Sequence, residues 1–526
     1  VSYFRHDLSS FILNKISNGL QSQNQNAEGI LTKDSILCTF QLSAMSIADS
    51  VDFDTILKNI LIPEALRSDI PETRIIKRRV CLIIGEWVGI KCLRESRVDI
   101  FRLLNAILQT ENKKVNDIVV RLTAIQTLKK VIDEWDFNKY DFQPFLKEFT
   151  NLSLIFLSEV SLTESKLYVT NVLAVLLYRC NPLIDQETLL QILQVVPQFW
   201  NSSANENDSI LSNSLLRVLK NLVISLNENS VATYDISLPL IITACTGDLV
   251  QYTLLSEDGY DLWLPILQYC PQNVAAEKKE ELFNLFPLVP HGLLNATEIL
   301  PTILAILRSY ALISPHLFVG DIGESIFRTL SGYLHNMRDD AFTVFISLLD
   351  ILFLQILETE KFVNSLMESG IFNAMTNFVL DESQEIVTGN KIYLLFARIA
   401  NVSLPLLFKI LNFLGLDDNK FFGNWLDNIN NNGNPRNKKI NLLALLSLSV
   451  TAVPQKHEFF TARFAEIMQK TLIFLEEIQE DDQGNCNAYK RDIIYEEVDD
   501  YCYGEPDIAP HGEKIRYLQL IEQKDP

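Results

Sequence analysis

The stretch Asp117-Ile-Val-Val-Arg-Leu-Thr-Ala-Ile-Gln-Thr-Leu128 decides the fold class. Its apolar residues recur at steps of three and four, which places them on one face of a helix. Leu103, Leu104, Ile107 and Leu108 follow the same steps one helix earlier. Strand-like alternation does not persist between turn signals anywhere in the chain, so the sequence predicts an all-α protein.

Helices of this kind recur along the chain at a nearly constant spacing. If each helix is paired with its successor, the second helices start at intervals of 42 to 51 residues, near Pro71, Val115, Leu162, Asn207, Leu249, Leu294, Arg338, Gln384 and Pro435. Such a period with two helices per unit is the signature of HEAT and armadillo repeats. We therefore predict a HEAT-repeat α-solenoid, a right-handed superhelix of antiparallel helix pairs whose stacking buries the apolar faces.

One unit shows the HEAT pattern most clearly. Asp117 stands four residues before Arg121, and Val120-Arg121-x-x-Ala124 matches the second helix of a HEAT repeat. A small Ala lets helices approach closely, while the Asp and Arg side chains can bond to neighbouring repeats. We expect Asp117 and Arg121 to form the structural pair of this repeat.

Composition agrees with a long helical array and excludes several classes. The 526 residues exceed the size of one hydrophobic core, and Gly and Pro, at 18 each, are too few for a turn-rich β-sandwich. The eight cysteines include no CxxC pair and the six histidines are scattered, so no metal site, cofactor or disulfide framework is predicted. We expect a reduced, intracellular protein with free thiols.

Charge divides the chain into two parts. The net charge is −21, and −10 of it lies between Glu476 and Pro526. We predict a continuous solenoid of about ten helix pairs over residues 1–476, and an acidic, partly mobile loop over 477–526 with a helix that re-enters near 513–522. Solvation and disorder are one interpretation of this loop, and contact with a basic partner is the other. The candidate contact residues are Glu480, Asp481, Asp482, Glu496, Glu497, Asp499 and Asp500.

Motifs for catalysis are not found in the sequence. It contains no GxxxxGK[ST], GxGxxG after a strand, HExxH or GxSxG, so the chain is not predicted to be an enzyme. Cys81 and Cys92 are better explained as small core residues than as a reactive pair. The longest apolar stretch, Ile392 to Leu416, is interrupted by polar residues and a proline, and no membrane insertion is predicted.

Aromatic and basic residues carry weaker signals. Core packing should explain most of the five tryptophans at 87, 135, 200, 263 and 425, with the rest serving as anchors for a partner. The short basic cluster from Arg74 to Arg79 is better explained as a solvated face or as bonding between repeats. With an isoelectric point near 4.8 the chain is not expected to bind nucleic acid directly.

Two stretches carry a family resemblance. They are Lys77-Arg-Arg-Val-Cys-Leu-Ile-Ile-Gly-Glu-Trp87 and Leu254-Leu-Ser-Glu-Asp-Gly-Tyr-Asp-Leu-Trp-Leu264, and shorter matches occur at Ser50–Asp54, Asp117–Leu122, Leu442–Leu448 and Lys524–Pro526. With them the chain resembles the karyopherin-β nuclear transport receptors. The Leu-Leu-x-Glu-Asp-Gly-x-x-Leu-Trp-Leu run is most similar to the importin-eleven branch.

The resemblance implies a receptor that carries protein cargo through nuclear pores. It would bind Phe-Gly nucleoporins, shuttle between cytoplasm and nucleus as a monomer, and release its cargo when Ran-GTP binds. The net negative charge of the chain favours a basic cargo. The chain begins without Met, at a point similar to the middle of such receptors, and is expected to be their carboxy-terminal part. Ran-GTP would then be held mainly by absent amino-terminal repeats. The alternative is a HEAT scaffold or adaptor subunit without a transport role.

Overall fold

The computed structural model describes residues 10–15, 27–109, 116–205, 208–380, 386–429, 435–452, 458–477 and 512–524. Within these ranges the ordered elements are helices and no β-strand occurs. The chain divides into two compact units, Val1–Leu226 and Asn227–Pro526. The all-α fold predicted from the apolar periodicity is confirmed.

Unit 1 is built from two rows of helices. Its labelled helices are α1 (Ala27–Leu42), α2 (Ala44–Ile47), α3 (Phe53–Ile56), α4 (Ile62–Leu66), α5 (Thr73–Trp87), α6 (Arg94–Leu108), α7 (Ile118–Ile132), α8 (Lys139–Glu159), α9 (Thr163–Arg179), α10 (Gln186–Asn205) and α11 (Ser209–Leu226). In the first row α1, α5, α7, α9 and α11 pack side by side in that order. In the second row α4, α6, α8 and α10 do the same, so each pair covers the apolar face of the next.

Unit 2 repeats the arrangement with shorter helices in its second row. Its helices are α12 (Tyr234–Thr246), α13 (Leu249–Gln268), α14 (Ala276–Phe283), α15 (Val289–Asn295), α16 (Leu300–Ile313), α17 (Asp321–Tyr333), α18 (Asp339–Gln355), α19 (Thr359–Glu368), α20 (Ile371–Leu380), α21 (Ile386–Val402), α22 (Leu404–Leu414), α23 (Asp418–Asn428), α24 (Pro435–Ala452), α25 (Glu458–Glu477) and α26 (Gly512–Lys524). The first row is α13, α16, α18, α21 and α24, and α15, α17, α19 and α22 lie in the second.

The predicted helix starts agree with the structure at eight of nine positions to within three residues. The exception is the helix expected near Leu294, which begins at Leu300. Leu293 and Leu294 belong instead to the short helix α15, and a 3-10 turn at Thr297–Ile299 separates it from α16. An apolar run that spans two short helices gives the same periodic signal as one long helix, which explains the shift.

Polar contacts along the first row of unit 1 repeat with the same period as the helices. Thr127 Oγ1 on α7 donates to the carbonyl of Cys81 on α5, 46 residues away, at 2.9 Å. Asn221 Nδ2 on α11 donates to the carbonyl of Ala174 on α9, 47 residues away, at 2.8 Å. These bonds satisfy buried polar groups between neighbours and so fix the register of one repeat on the next.

Unit 2 has an equivalent series with a buried ion pair in it. Trp263 Nε1 donates to Tyr310 Oη at 3.1 Å across α13 and α16. Further along the row, Arg398 Nε on α21 lies 2.6 Å from Oδ1 of Asp350 on α18, with the two residues 1% and 6% exposed. Nη2 of Arg436 on α24 lies 3.4 Å from Oδ2 of the same aspartate, so three successive helices share one carboxylate.

Helix α26 packs on the first row of unit 2. Its Glu513 is fully buried, and its carboxylate accepts hydrogen bonds from Arg308 Nε at 3.1 Å and Ser309 Oγ at 2.5 Å, both on α16. Arg516 donates to the carbonyls of Leu267 and Cys270 at 3.1 and 2.7 Å. These carbonyls end or follow α13, where a helix leaves its last acceptors without intrahelical partners. Residues 478–511, which precede α26, lie outside the described residues.

By length and composition one apolar stretch of the described residues, Ser209–Thr246, could cross a membrane, and 56% of its most apolar window is buried within the protein. The stretch is not one helix but α11, a 3-10 segment at Asn227–Thr233 and α12. Leu215 and Leu219 of α11, and Ile241 of α12, are core residues of their units. Core packing therefore accounts for the apolar character of this stretch.

Candidate partner-binding site

The residues predicted for function fall in two places. The seven acidic residues proposed to contact a basic partner, Glu480 to Asp500, lie outside the described residues. Asp117 and Arg121 are described, and each bonds to a different neighbour. Asp117 Oδ1 accepts from Val120 N at 2.9 Å, which caps α7, and its Oδ2 lies 3.6 Å from Nη1 of Arg74 on α5.

Arg121 points in the other direction. Its Nη2 lies 2.6 Å from Oε2 of Glu159 on α8, and its guanidinium stands 4.7 Å from the ring centre of Phe156. The side chain is 4% exposed. The two residues thus tie α7 to α5, the preceding helix of its row, and to α8, the next helix along the chain. This geometry supports the structural role proposed for them.

Chemical reactivity is not favoured at Cys81 or Cys92. Burial raises the pKa of Cys81 to about 12, although nearby Lys77 lowers it in part. Burial and the neighbouring Asp54 raise the pKa of Cys92 to about 12 against the opposing effect of Arg97. A thiol with so high a pKa carries little thiolate at neutral pH and is a poor nucleophile. Among the described residues no group of three or more His, Cys, Asp or Glu is arranged to hold a metal ion.

A cleft of about 630 Å³ lies in unit 1, where three successive helix-to-helix turns meet at residues 48–54, 88–93 and 133–138. This volume falls within the range of small-ligand pockets, about 300–1,000 Å³. Five carboxylates line it, from Asp49, Asp52, Asp54, Glu134 and Asp136, against the two cations of Lys91 and Arg97. We call it the acidic cleft. Its formal charge of −3 favours a cationic ligand.

Backbone and side-chain bonds hold the first two turns of the acidic cleft together. Lys91 Nζ donates to the carbonyl of Ala48 at 3.1 Å, and Asp54 Oδ1 accepts from the amide of Leu93 at 3.1 Å. Asp52 accepts from the amide and the hydroxyl of Thr55, which lowers the pKa of its carboxyl and keeps it ionised. Lys91 and Asp54 therefore form part of their hydrogen bonds within the cleft itself, between its first two turns.

Arg97, which follows the second turn, joins the third turn to the cleft. Nη2 of this arginine lies 2.5 Å from Oδ1 of Asp136, and the residue is 5% exposed. Among the described residues its Nε and Nη1 have no hydrogen-bond acceptor. Gly89 allows Glu134 to approach closely, since a Cβ atom at Gly89 would lie 2.5 Å from Oε1 of Glu134. In the part of the chain described here, the carboxylates of Asp49 and Glu134 make no hydrogen bond or ion pair.

Trp135 is the aromatic residue of the acidic cleft. It is 88% exposed, whereas Trp87, Trp200, Trp263 and Trp425 are between 0% and 7% exposed. Four tryptophans therefore pack in the core, as predicted, and Trp135 is the one that is exposed. Exposure of a large apolar ring to water is unfavourable, and in the free chain no packing contact compensates for it. Trp135 is therefore a candidate binding residue.

The family model that matches residues 213–526 is described as importin-11-like, TPR repeats. This match covers more than half of the chain. The chain belongs to the importin-11-like family. The resemblance to karyopherin-β receptors predicted from the sequence motifs is thereby confirmed.

Individual members of the family and solved structures agree with this assignment. The importin beta-like protein KAP120 of Saccharomyces cerevisiae is 34% identical over 99% of this chain and 53% of its own length. Importin-11 of Homo sapiens is 25% identical over 95% of this chain and 50% of its own. The chain spans about half the length of these curated relatives.

A solved structure similar to this chain is that of Lph2, which is described as a novel bidirectional nuclear transport receptor of S. cerevisiae. Its structure matches with a TM-score of 0.82 at 33% identity, over 98% of this chain and 54% of that one. The exportin Cse1 matches with a TM-score of 0.64 at 13% identity and supports the fold alone. Contacts 44 to 48 residues apart fit HEAT repeats, not the 34-residue TPR period named in the family description.

Sequence reasoning did not identify the acidic cleft. Its residues come from three turns that are separated by about 40 residues each, and only stacking of the repeats brings them together. The run Asp133-Glu134-Trp135-Asp136 did contain a signal, because a tryptophan flanked by three acids is unlike a core position.

Proposed function

We propose that this chain is a protein-binding part of a nuclear transport receptor that moves protein cargo between cytoplasm and nucleus. Membership of the importin-11-like family, together with the match to Lph2 over 98% of the chain, carries this proposal. A row of parallel-stacked helices offers a long surface that suits a macromolecule better than a metabolite. We propose accordingly that the chain acts as a monomeric binding protein and not as an enzyme, and binds neither nucleic acid nor membrane directly.

The proposed cargo is basic. The chain has a net charge of −21, which accelerates the encounter with a positively charged partner at low salt. Phe-Gly nucleoporins are a second proposed class of partner. Apolar side chains exposed on the second row of unit 1 support this proposal, since Leu66, Tyr140 and Ile155 are each at least 50% exposed.

The receptor that contains this chain should release bound cargo when Ran-GTP is added. A pull-down from cytosol on the immobilised receptor, eluted first with Ran-GDP and then with Ran-GTP, measures this release. We expect a set of proteins to elute with Ran-GTP only, because binding of Ran-GTP and binding of cargo to the same receptor oppose each other. Elution that does not depend on the nucleotide, or no retention of the receptor on a Phe-Gly column, would contradict a transport role.

The acidic segment should contribute to binding of basic cargo through its charge. Removal of residues 480–507 should weaken binding of a Lys/Arg-rich import-signal peptide and flatten its dependence on salt, because about half of the net negative charge lies at this end of the chain. Fluorescence anisotropy at rising NaCl concentrations measures both effects.

A length-matched variant separates charge from chain length in this experiment. It keeps the segment and replaces the seven acidic candidates by their amides, as Glu480→Gln, Asp481→Asn, Asp482→Asn, Glu496→Gln, Glu497→Gln, Asp499→Asn and Asp500→Asn. It should behave like the deletion. If both variants bind with the affinity and salt dependence of the parent chain, the segment has no part in cargo binding.

A further inference from the structure

We propose that the groove between α13 and α16 is a binding site for a helix of another protein, and that α26 occupies this groove as an internal competitor. The partner helix would carry the pattern by which α26 binds, Gly-Glu-x-x-Arg-Tyr-x-x-x-Ile, which is formed here by Gly512, Glu513, Arg516, Tyr517 and Ile521. This proposal goes beyond the transport role and does not rest on it.

The groove selects an acidic residue in the first turn of the bound helix. Glu513 is fully buried, and its carboxylate lies 3.0 Å from Nη2 of Arg308 and accepts a hydrogen bond from Oγ of Ser309 at 2.5 Å. Arg308 is itself 1% exposed. A helix with a neutral side chain at this position would bury the guanidinium without its carboxylate, which is strongly unfavourable.

One turn further along the bound helix, the groove selects an arginine. Arg516 Nη1 donates to the carbonyl of Cys270 at 2.7 Å, and its Nη2 donates to the carbonyl of Leu267 at 3.1 Å. Both carbonyls lie at the carboxy-terminal end of α13, where the helix dipole favours a cation. The groove thus offers a cation from α16 and carbonyl acceptors from α13, and their order fixes the direction in which a helix lies between them.

Gly512 lets the bound helix approach the end of α13 closely. A Cβ atom at this position would lie 2.3 Å from the carbonyl oxygen of Cys270, which belongs to the backbone and is not free to move aside. The same oxygen accepts the hydrogen bond from Arg516, so a larger residue would also disturb that contact. A partner helix therefore needs glycine directly before its acidic residue.

The contacts of α26 are better suited to recognition than to stability. Three of its 13 residues are buried, Glu513, Tyr517 and Ile521, and they lie four residues apart on one face of the helix. A buried ion pair adds little net stability over apolar side chains of similar volume. It does exclude helices that lack the matching charge, which is a means of specificity.

The length of the chain before α26 lets this helix leave the groove. Residues 478–511 separate it from α25, and this number of residues spans roughly 110 Å when fully extended. A helix on so long a connection competes with a partner at an effective concentration of about the millimolar range or less. A partner helix therefore binds well only when its own affinity is high or when the docking of α26 is weakened.

A fluorescently labelled peptide of residues 511–525 tests whether the groove binds a separate helix. The peptide is added to the parent chain and to the variant Glu513→Ala/Tyr517→Ala, which lacks two of the three buried side chains of α26. Amide hydrogen exchange at 512–524 measures whether α26 has left the groove in this variant. We expect the peptide to bind the variant at least roughly tenfold more tightly than the parent chain, because α26 of the parent must be displaced first. Fluorescence anisotropy measures both affinities.

Peptide variants test which side chains the groove recognises. Gly512→Ala, Glu513→Ala and Arg516→Ala peptides should each bind the double variant at least roughly tenfold more weakly than the unchanged peptide. The matched control is a Gln519→Ala peptide, since Gln519 lies on the exposed face and makes only an exposed hydrogen bond to Gln272 among the described residues. Its affinity should change by less than about threefold.

Three results would overturn the proposal. The first is failure of the unchanged peptide to bind a chain whose α26 has left the groove. The second is equal affinity for the parent chain and the double variant, which would place the binding outside the groove. The third is a double variant whose α26 stays protected from exchange, because the helix would then be a fixed part of unit 2. Neither Ran nor cargo takes part in these measurements, so they can fail separately from the Ran-GTP release experiment.

Discussion

Asp350→Ala should lower the free energy of unfolding of unit 2 by about 3–5 kcal/mol, because it leaves buried guanidinium charge without its carboxylate. Asp350 and Arg398 are 6% and 1% exposed, and Arg436 is the second cation on the same carboxylate. The three residues lie on the successive first-row helices α18, α21 and α24. Urea unfolding followed by tryptophan fluorescence measures the loss.

A matched ion pair provides the control for Asp350. Glu360 on α19 and Lys409 on α22 are 49 residues apart and also join neighbouring repeats, with Nζ and Oε1 3.0 Å apart. The glutamate side chain is 73% exposed, so Glu360→Ala should cost at most about 1 kcal/mol. If the two alanine variants lose the same stability, burial does not govern the effect and the argument fails.

The free energy of unfolding should depend on pH through the same buried carboxylate, Asp350. Burial alone would raise the pKa of Asp350, but Arg398 and Arg436 outweigh it, so the pKa in the folded protein lies below the ordinary value of 3.8. The unfolded chain therefore takes up this proton at a higher pH than the folded one. The stabilisation is present above pH 3.8 and is lost as the pH falls towards the folded pKa. Asp350→Ala should lose less stability than the parent chain over that acid range.

Glu513→Ala should release helix α26 from unit 2 and increase amide hydrogen exchange at 512–524 by about a hundredfold, since loss of a buried carboxylate costs several kcal/mol. The released helix has 13 residues, a length at which an isolated helix is marginal in water. Undocking exposes Arg308 to solvent, so the cost to the rest of unit 2 is limited. Exchange measured by mass spectrometry should therefore change at α26 far more than at α18 or α21.

Gln519→Ala on the same helix is the control for Glu513. Gln519 accepts an exposed hydrogen bond from Gln272 at 3.1 Å, and its loss should change the exchange rate at α26 by less than about fivefold. Unchanged protection of α26 in Glu513→Ala would contradict the anchoring role. A uniform loss of protection throughout unit 2 would also contradict it, because it would mean that the helix and the rows unfold as one.

Local patterns predicted most of the fold because HEAT helices are specified locally. The run from Asp117 to Leu128 already contains the cap and the apolar face of α7, and its repetition predicts the neighbours. What the periodicity could not assign was the division of one apolar run between α15 and α16, which depends on a 3-10 turn only three residues long.

The candidate sites were harder to predict because they depend on contacts between distant residues. Glu513 and Arg308 are 205 residues apart, and nothing in either local sequence identifies the other. Arg97 and Asp136 likewise meet only after two repeats have stacked. The acidic segment was visible from composition, whereas the acidic cleft required the positions of three turns in space.

The docking of α26 also determines how unit 2 would respond to mechanical force. Glu513 and Arg516 connect this helix to α13 and α16, not to α25, the helix that precedes it among the described residues. A pull applied between Lys524 and a point that precedes α13 is therefore transmitted first to α13 and α16. Helices α18 to α25 lie outside this path until the bonds of Glu513 and Arg516 break.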